Sequence, residues 1–249
     1  MSELPTSAAF FDVDGTLTRR TTLFGFLRHD MASRGLPHQA YLAQRERLHA
    51  MTLAGAPRRA TNRAYFRLLA GRSAGELAEA GRRWYAEERA ADGAGFFRPE
   101  ALAALAAHRA AGRLVVLVSG SFAPCLDPLA AELGADAVLC TAPRIVRGRY
   151  TGEVEHPMLD ARKALAAAGF AARRGLDLTD CHAYGDHHSD LPLLRLVGHP
   201  VVVGEDEVLH RTAAEHGWPL LRPTRDTPTA LSTTALPSAT TTHGIGEAQ

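Results

Sequence analysis

Four aspartates stand at the ends of two short apolar segments that the sequence predicts as strands. Asp12 and Asp14 end the first segment, and Asp186 and Asp190 follow the second. Because side chains alternate along a strand, Asp12 and Asp14 point in the same direction. Several carboxylates in one crevice repel each other and raise their own pKa values, a cost that a hard divalent cation removes. Oxygen ligands with room for water favour Mg²⁺ as this cofactor.

Ser119, Gly120 and Lys163 complete a set of groups suited to phosphoryl transfer. Ser119 and Gly120 supply a hydroxyl and a backbone turn after a buried strand. Lys163 is the only lysine among 28 cationic residues, which indicates either chance or a position that needs a compact ammonium group. Phosphoryl transfer requires positioning and charge neutralisation, and a carboxylate can be the nucleophile that forms an aspartyl phosphate.

The elements that must position these residues alternate between strands and helices. Strands are predicted at residues 8–14, 114–118, 137–140, 182–185 and 201–203. Helices are predicted at residues 99–112, 124–133, 158–172, 191–197 and 208–216, with a hairpin over 144–154. This alternation is typical of an α/β fold with a doubly wound, Rossmann-like parallel sheet, whose active site lies at the carboxyl ends of the strands.

Residues 18–97 interrupt the alternation with three or four predicted helices, separated by breaks at residues 35–37, 55–57 and 71–75. We therefore predict a helical cap over 18–97, a core of residues 1–17 and 98–221, and a disordered tail over 222–249. The cap holds 14 arginines against 7 acidic residues, so the rest of the chain is acidic. This imbalance favours an anionic ligand between cap and core, with a solvated arginine-rich face as the alternative.

Composition excludes several classes of protein. A hydrophobic content of 46% with a net charge of +1 excludes disorder as the main state. The longest aliphatic run is far shorter than the roughly 20 residues of a membrane helix, so no membrane partner is expected. The N-terminus does not resemble a signal peptide. Three widely spaced cysteines fit neither a disulfide framework nor a CxxC metal site, so a cytoplasmic protein is predicted.

Four segments, in this order, carry a resemblance to a known superfamily. FFDVDGTLT, VVLVSGS, the single Lys163 and YGDHHSDLPLL are similar to the four motifs of the haloacid dehalogenase (HAD) superfamily, and the step of 23 residues from Lys163 to Asp186 also matches. The insert after the first motif resembles subfamily IB, the phosphoserine-phosphatase-like branch with a C1 helical cap. The similarity covers about residues 8–221, with the cap matched only in position and helicity.

The resemblance implies a role for each acidic motif residue. Asp12 is expected to be the nucleophile and a metal ligand. Asp14 is expected to protonate the leaving group and then to activate water, while its backbone carbonyl binds the metal. Asp186 is expected to bind Mg²⁺, and Asp190 to support the metal site directly or through water, unless it only caps its helix. The second acid, Asp14, is typical of the phosphatases and mutases of the superfamily and is lacking in its dehalogenases.

The resemblance also implies a phosphate site. Ser119 and the amide of Gly120 are expected to hold phosphate oxygens, and Lys163 to neutralise charge on the nucleophile and on the phosphoryl group. Phosphoserine phosphatases carry an acidic residue shortly after the first motif, whereas TRRTTLFGFLRH contains none. Arg19 and Arg20 in that segment are candidate contacts for an additional anion, or else they face solvent.

Together these features predict a Mg²⁺-dependent phosphatase that hydrolyses a small soluble phosphomonoester through a phospho-aspartyl intermediate. A phosphotransferase or mutase with the same aspartyl chemistry is the alternative, and a phosphoserine phosphatase is a further one. The complete set of acidic residues, and a basic patch with almost no interleaved aromatic residues, disfavour nucleic acid as a partner. His187 and His188 in the metal loop are either contacts for metal or substrate, or solvent-facing residues. The sequence does not indicate the oligomeric state.

Overall fold

A six-stranded parallel sheet organises the protein in the computed structural model, which describes residues 5–222. In chain order the strands are β1 (Ala8–Phe11), β2 (Leu114–Ser119), β3 (Ala137–Cys140), β4 (Ile145–Val146), β5 (Arg149–Tyr150), β6 (His182–Gly185), β7 (His199–Val203) and β8 (Leu220–Leu221). The sheet order is β3-β2-β1-β6-β7-β8, while β4 and β5 form a separate hairpin. The chain thus winds outward from β1 in both directions, which confirms the predicted doubly wound α/β fold.

Alternate residues of the central strands are buried on opposite faces of the sheet. In β1, Ala9 and Phe11 belong to one apolar cluster, and Ala8 and Phe10 belong to the other. Strand β2 alternates in the same way between the two clusters. Parallel strands that are covered on both faces consist of nearly continuous apolar residues. This double burial explains why the central strands can be located from the sequence.

Nine α-helices occur within residues 5–222. They are α1 (Thr22–Ser33), α2 (His38–Leu53), α3 (Arg58–Arg67), α4 (Ala74–Asp92), α5 (Pro99–Ala110), α6 (Ala123–Leu133), α7 (Ala161–Arg174), α8 (Leu191–Leu194) and α9 (Glu207–His216). Helices α1 to α4 occupy the predicted helical insert, and the three predicted breaks separate them. None of the nine combines the length and the apolar character that a bilayer crossing requires.

The inserted helices contact the sheet domain mainly through α4, which packs against α6. The two chain segments that connect them to the core meet in a bridge between Thr18 and Phe97. Helix α4 approaches α6 so closely that a Cβ atom on Gly81 would collide with the carbonyl group of Pro124. The inserted helices and the core share one continuous apolar cluster, which includes Trp84. The division into cap and core at residues 18 and 97 nevertheless stays a prediction.

Three predicted boundaries are wrong by a few residues. Strand β1 ends before Asp12, because the chain turns where the amides of Leu17 and Thr18 both donate to the carbonyl of Val13. Helix α7 begins at Ala161, three residues after the predicted start, because Asp160 has a φ of 52° that a right-handed helix does not allow. Helix α8 is only four residues long, and the short edge strand β8 was not predicted. The predicted disordered tail, beyond residue 222, lies outside the described residues.

Candidate active site

Asp12 and Asp186 follow β1 and β6, the neighbouring strands at which the winding direction of the sheet reverses. The backbone amide of Asp12 donates to the carbonyl of Tyr184 at 3.0 Å, which extends the pairing of the two strands to the aspartate. Open parallel sheets bind ligands at this reversal, outside the carboxyl ends of the strands. The topology therefore brings together aspartates that are 174 residues apart in the chain.

Lys163, in the first turn of α7, lies between two of the aspartates. Its Nζ atom donates to Asp12 Oδ1 at 2.5 Å and to Asp190 Oδ1 at 2.7 Å, and all three residues are buried. Burial by itself would lower the pKa of Lys163, but the two carboxylates outweigh it and raise this pKa above its ordinary value. Lys163 is therefore held as an ammonium ion that neutralises part of the acidic cluster.

The carboxyl groups of the cluster have pKa values above those of ordinary aspartates. Burial raises the pKa of Asp12 to about 6; Lys163 opposes this shift, and the charge of Asp186 adds to it. The carboxyl groups of Asp12 and Asp186 are close enough to hydrogen-bond to each other. Burial is also the main cause that raises the pKa of Asp186 and of Asp190. One lysine thus does not balance the charge that the aspartates would carry together.

This donor set fits a divalent cation. Oxygen atoms of Asp12, Asp186 and Asp190 all lie within 4.8 Å of one another. The hydroxyl of Thr16 donates to Asp186 Oδ1 at 2.9 Å and fixes that carboxylate. Three carboxylates with oxygen donors only, and with more negative charge than their lysine neutralises, match the preference of Mg²⁺. The carboxylate of Asp14 is not part of this group, so its predicted role as a metal ligand rests on its backbone carbonyl.

Gly15 permits the close approach of Asp186 to the end of β1. Its φ is +96°, a conformation that other L residues rarely adopt. A Cβ atom on Gly15 would collide with Oδ2 of Asp186 and would lie 2.7 Å from its Cγ atom. The glycine of the first motif is therefore needed for the metal site as well as for the turn.

Asp14 faces the start of α1 instead of the other aspartates. Its Oδ1 atom accepts a hydrogen bond of 2.7 Å from the backbone amide of Thr22. Burial raises the pKa of Asp14 to about 6, although the bond from Thr22 lowers it. A carboxyl group with such a pKa can both give and take a proton near neutral pH. This property is the one that a general acid and base requires.

The loop after β2 is fixed from several sides. The Ser119 hydroxyl accepts a hydrogen bond of 3.0 Å from the amide of Ser121. The carbonyl of Gly120 accepts two hydrogen bonds, one of 3.0 Å from the side-chain amide of Asn62 and one of 2.9 Å from the hydroxyl of Thr141. The backbone orientation at the predicted phosphate site is therefore set jointly by α3 and by the loop after β3.

A cavity of about 1130 Å³ opens over the aspartates, and the inserted helices form its other wall. The sequence-predicted residues that line it are Asp12, Asp14, Arg19, Arg20, Gly120, Lys163, Asp186, His187, His188 and Asp190. Ser119, in contrast, is buried and does not line the cavity. The cavity thus brings nearly all of the predicted site residues to one surface.

Arg19 and Arg20 line the cavity, but their side chains bind protein groups. The Nε atom of Arg19 donates to the carbonyl of Phe97 at 3.2 Å. A guanidinium nitrogen of Arg20 lies 3.3 Å from a carboxylate oxygen of Asp92, and Glu88 is 3.8 Å away. Both arginines therefore have local partners that an additional substrate anion would have to displace.

Arg58 and Asn62 on α3 are cavity residues that the sequence analysis missed. Their spacing of four residues puts them on one face of the helix, but nothing local marks that face as part of a site. Arg58 Nη1 lies 2.8 Å from His187 Nδ1 and donates to the hydroxyl of Ser189 at 2.6 Å. Helix α3 thus touches both the predicted phosphate loop and the loop that follows β6.

The two loop histidines differ in their surroundings. His188 is largely exposed, and its ring lies 3.0 Å from a carboxylate oxygen of Asp206. Burial, and then the charge of Arg58, lower the pKa of His187 to about 4. Ligand atoms of His187, His188 and Asp206 also lie within 4.8 Å of one another. The Nδ1 atom of His187 lies 2.8 Å from a guanidinium nitrogen of Arg58, which disfavours a metal ion at that ring nitrogen.

This architecture, with strand-end aspartates at the reversal of a doubly wound sheet and an inserted helical wall, defines a Rossmann-like α/β protein with an acidic candidate site. The sequence profile of the haloacid dehalogenase-like hydrolases matches residues 9–195. The chain belongs to this family. The resemblance deduced from the four motifs is thereby confirmed.

Relatives of the chain agree with this assignment. A phosphoserine phosphatase of Mycobacterium tuberculosis is 32% identical over 227 residues, which cover 86% of this chain and 70% of that protein. An inhibition of morphological differentiation protein of Streptomyces azureus is 43% identical over 132 residues, which cover 51% of this chain and only 47% of that protein. The family and these relatives support a phosphoric monoester hydrolase.

A solved structure supports the fold independently. The phospho-aspartyl intermediate analogue of a phosphoserine phosphatase superposes with a TM-score of 0.60 at 19% identity, covering 90% of this chain and 96% of that one. At this identity the similarity concerns the fold alone. The parallel sheet of this chain and its flanking helices thus have the same fold as that phosphatase.

Proposed function

We propose that the protein is a Mg²⁺-dependent phosphatase that hydrolyses a phosphomonoester through a phospho-aspartyl intermediate on Asp12. The observation that carries this proposal is the position of Lys163, which binds both Asp12 and Asp190 in a buried cluster beside Asp186. A lysine so placed can neutralise a carboxylate nucleophile and an incoming phosphoryl group together. The same arrangement leaves the cluster acidic enough to require a metal ion.

Asp12, Asp186 and Asp190 would hold the Mg²⁺ ion. When bound, Mg²⁺ neutralises charge on the phosphoryl oxygens, which allows an anionic carboxylate to approach phosphorus. Thr16 orients Asp186 for this task through its hydrogen bond of 2.9 Å. Ser119 and the amide of Gly120 would hold the phosphate oxygens that the metal does not.

Asp12 and Asp14 divide the chemistry between them. In the first step, a carboxylate oxygen of Asp12 bonds to phosphorus while the bond from phosphorus to the leaving-group oxygen breaks, and Asp14 donates its proton to that oxygen. In the second step, the Asp14 carboxylate takes a proton from water, whose oxygen attacks phosphorus and releases phosphate from Asp12. The pKa of Asp14, raised by burial to about 6, supports both proton transfers.

We propose a small soluble phosphomonoester as the substrate. One relative is named a phosphoserine phosphatase, but the segment of this chain after the first motif offers no acidic residue before Asp30 to meet an amino group. Phosphorylated sugars, cyclitols or carboxylated metabolites are therefore the better expectation. A cytoplasmic location stays a prediction.

Assays of the purified protein with a panel of phosphorylated metabolites and 4-nitrophenyl phosphate test the proposal. We expect release of free phosphate with Mg²⁺ and none with EDTA. Asp12→Asn, which is nearly isosteric, should abolish turnover but keep the fold, and beryllofluoride with Mg²⁺ should raise the melting temperature of the wild type only. Phosphate release by Asp12→Asn, with deamidation excluded, would contradict a mechanism in which Asp12 is the nucleophile. Transfer to an acceptor without free phosphate would instead identify a phosphotransferase or mutase.

A further inference from the structure

One face of helix α2 forms the wall of the cavity on the side of the cap. Leu42, Arg45, Glu46, His49 and Thr52 line the cavity, and their spacing of three or four residues places them along one side of the helix, the α2 stripe. Helix α2 packs on α1 and α3 rather than on the sheet. Helix α3, in contrast, contacts the loop after β6 directly through Arg58. The α2 stripe is therefore a part of the cavity wall that the inserted helices supply.

The cavity is much larger than a phosphate group requires. Its volume of about 1130 Å³ exceeds the usual range of roughly 300–1,000 Å³ for pockets that enclose a drug-sized ligand. Leu23 and Phe24 of α1 contribute apolar surface to the cavity, and both are only partly buried. A leaving group that fills this space has an apolar body of several carbon atoms.

Arg45 is the cation of this wall that is not already engaged. Among residues 5–222 it has neither an ion-pair partner nor a hydrogen-bond partner, and its side chain is exposed. Arg20 is paired with Asp92, and Arg58 with the loop after β6. An arginine with all its donors available is suited to a carboxylate or phosphate. His49, one turn further along α2, lies on the same stripe.

We propose, building on the phosphatase function proposed above, that the cavity selects phosphomonoesters with an elongated leaving group that ends in a second anion. The apolar body of the leaving group packs against Leu23 and Phe24, and Arg45 binds the distal carboxylate or phosphate. Arg45 is then a specificity-determining residue on the α2 wall of the cavity. This assignment replaces Arg19 and Arg20 as the preferred contact for a second charge, since those two side chains already have partners.

Binding of non-hydrolysable phosphonates tests this inference without turnover. Dissociation constants are measured with Mg²⁺ for ω-carboxyalkyl phosphonates of two to eight methylene groups, for alkane bisphosphonates of the same lengths, and for alkyl phosphonates as uncharged-tail references. The variant is Arg45→Gln. The matched control is Arg47→Gln, because Arg47 is an exposed arginine of the same helix that does not line the cavity.

We expect the wild type to bind long carboxyalkyl or bisphosphonate compounds about tenfold more tightly than the alkyl reference, the size of one charge-assisted hydrogen bond at a partly exposed site. The preference should disappear in Arg45→Gln and persist in Arg47→Gln. For the shortest compounds, the dissociation constants of the wild type and of Arg45→Gln should be equal. The ratio of carboxylate to bisphosphonate affinity then identifies the preferred anion. Glu46→Gln should retain or strengthen the preference, because it removes a neighbouring negative charge.

The inference is overturned if Arg45→Gln keeps the preference, if Arg47→Gln loses it equally, or if the wild type shows none at any length. These outcomes are separate from failure of the proposed function. A protein that binds the phosphonates with the expected Arg45 dependence, but releases no phosphate from the corresponding esters, would disprove the phosphatase proposal and leave the anion site in place.

Discussion

The side-chain amide of Asn62 in α3 donates a hydrogen bond of 3.0 Å to the carbonyl of Gly120 in the loop after β2. The two residues are 58 positions apart in the chain and belong to the inserted helices and to the sheet domain respectively. Within the described residues, the other polar atom of this side chain, Oδ1, is buried without a hydrogen-bond partner. The insert therefore does more than cover the cavity, because it helps to orient the proposed phosphate loop.

Asn62→Ala is expected to lower kcat/KM about fivefold, equivalent to the ~1 kcal/mol that one hydrogen bond contributes. The loss should appear mainly in KM for 4-nitrophenyl phosphate, because the loop would still form but would hold the phosphate less firmly. Arg59→Gln, an exposed change on the same helix, is the control and should behave like the wild type. Equal kcat/KM values for the two variants would contradict this role of Asn62.

Lys163→Arg is expected to lower kcat by at least about tenfold, or ~1.4 kcal/mol of transition-state stabilisation. The charge is preserved, but the planar guanidinium is larger than an ammonium group that is enclosed by Asp12 and Asp190. Arg162→Lys changes an exposed cation in the same turn of α7 and should leave kcat unchanged. Near-normal turnover by Lys163→Arg would show that the single lysine reflects codon usage alone.

The positions of the central strands and of the motif aspartates in the chain could be predicted because both depend on local patterns. Continuous apolar strands produce the sheet, and Asp12 and Asp186 follow directly from strand ends that adjoin in a doubly wound order. Asn62 and Arg58 could not be predicted, because their roles depend on how α3 packs against loops that are distant in sequence. The late start of α7 had the same kind of cause, since a positive φ at Asp160 follows from the tertiary turn.

Gly15→Ala is expected to weaken Mg²⁺ activation about tenfold, because the new methyl group displaces the carboxylate of Asp186. Strain from the positive φ also lowers stability, by about 1 kcal/mol. Gly55→Ala separates the two effects, since Gly55 has a φ of +80° but open space around it. Both variants should lose stability, and only Gly15→Ala should require more Mg²⁺ in a titration of activity. A similar Mg²⁺ requirement for both would refute the contact argument.

His108 and His182 lie at the opposite end of the sheet from the cavity. Their ring centroids are 4.5 Å apart, and a ring nitrogen of His108 lies 2.8 Å from the hydroxyl of Tyr184. Burial lowers the pKa of each histidine to about 4. The charge of Arg113 adds to the shift of His108, and the charges of His108, His199 and then Arg113 add to the shift of His182. Below about pH 6.5 these two histidines bind protons in the unfolded chain but stay neutral in the folded protein. These two residues therefore favour folding at neutral pH, and that contribution falls as the pH drops from about 6.5 to about 4.

We expect His108→Gln and His182→Gln each to flatten the decline of unfolding free energy between pH 6.5 and 4, by up to about 1.4 kcal/mol per pH unit. Glutamine retains a polar group at the site but does not titrate, so each variant removes the proton uptake of its own histidine. His108→Gln also removes a charge that helps to lower the pKa of His182. Urea unfolding of the metal-free protein at several pH values measures the slopes, and comparison with the wild type cancels the opposing contribution of the aspartates. His49→Gln, an exposed change on α2, is the control. Slopes identical to the wild type in both variants would show that the two buried histidines are not linked to folding.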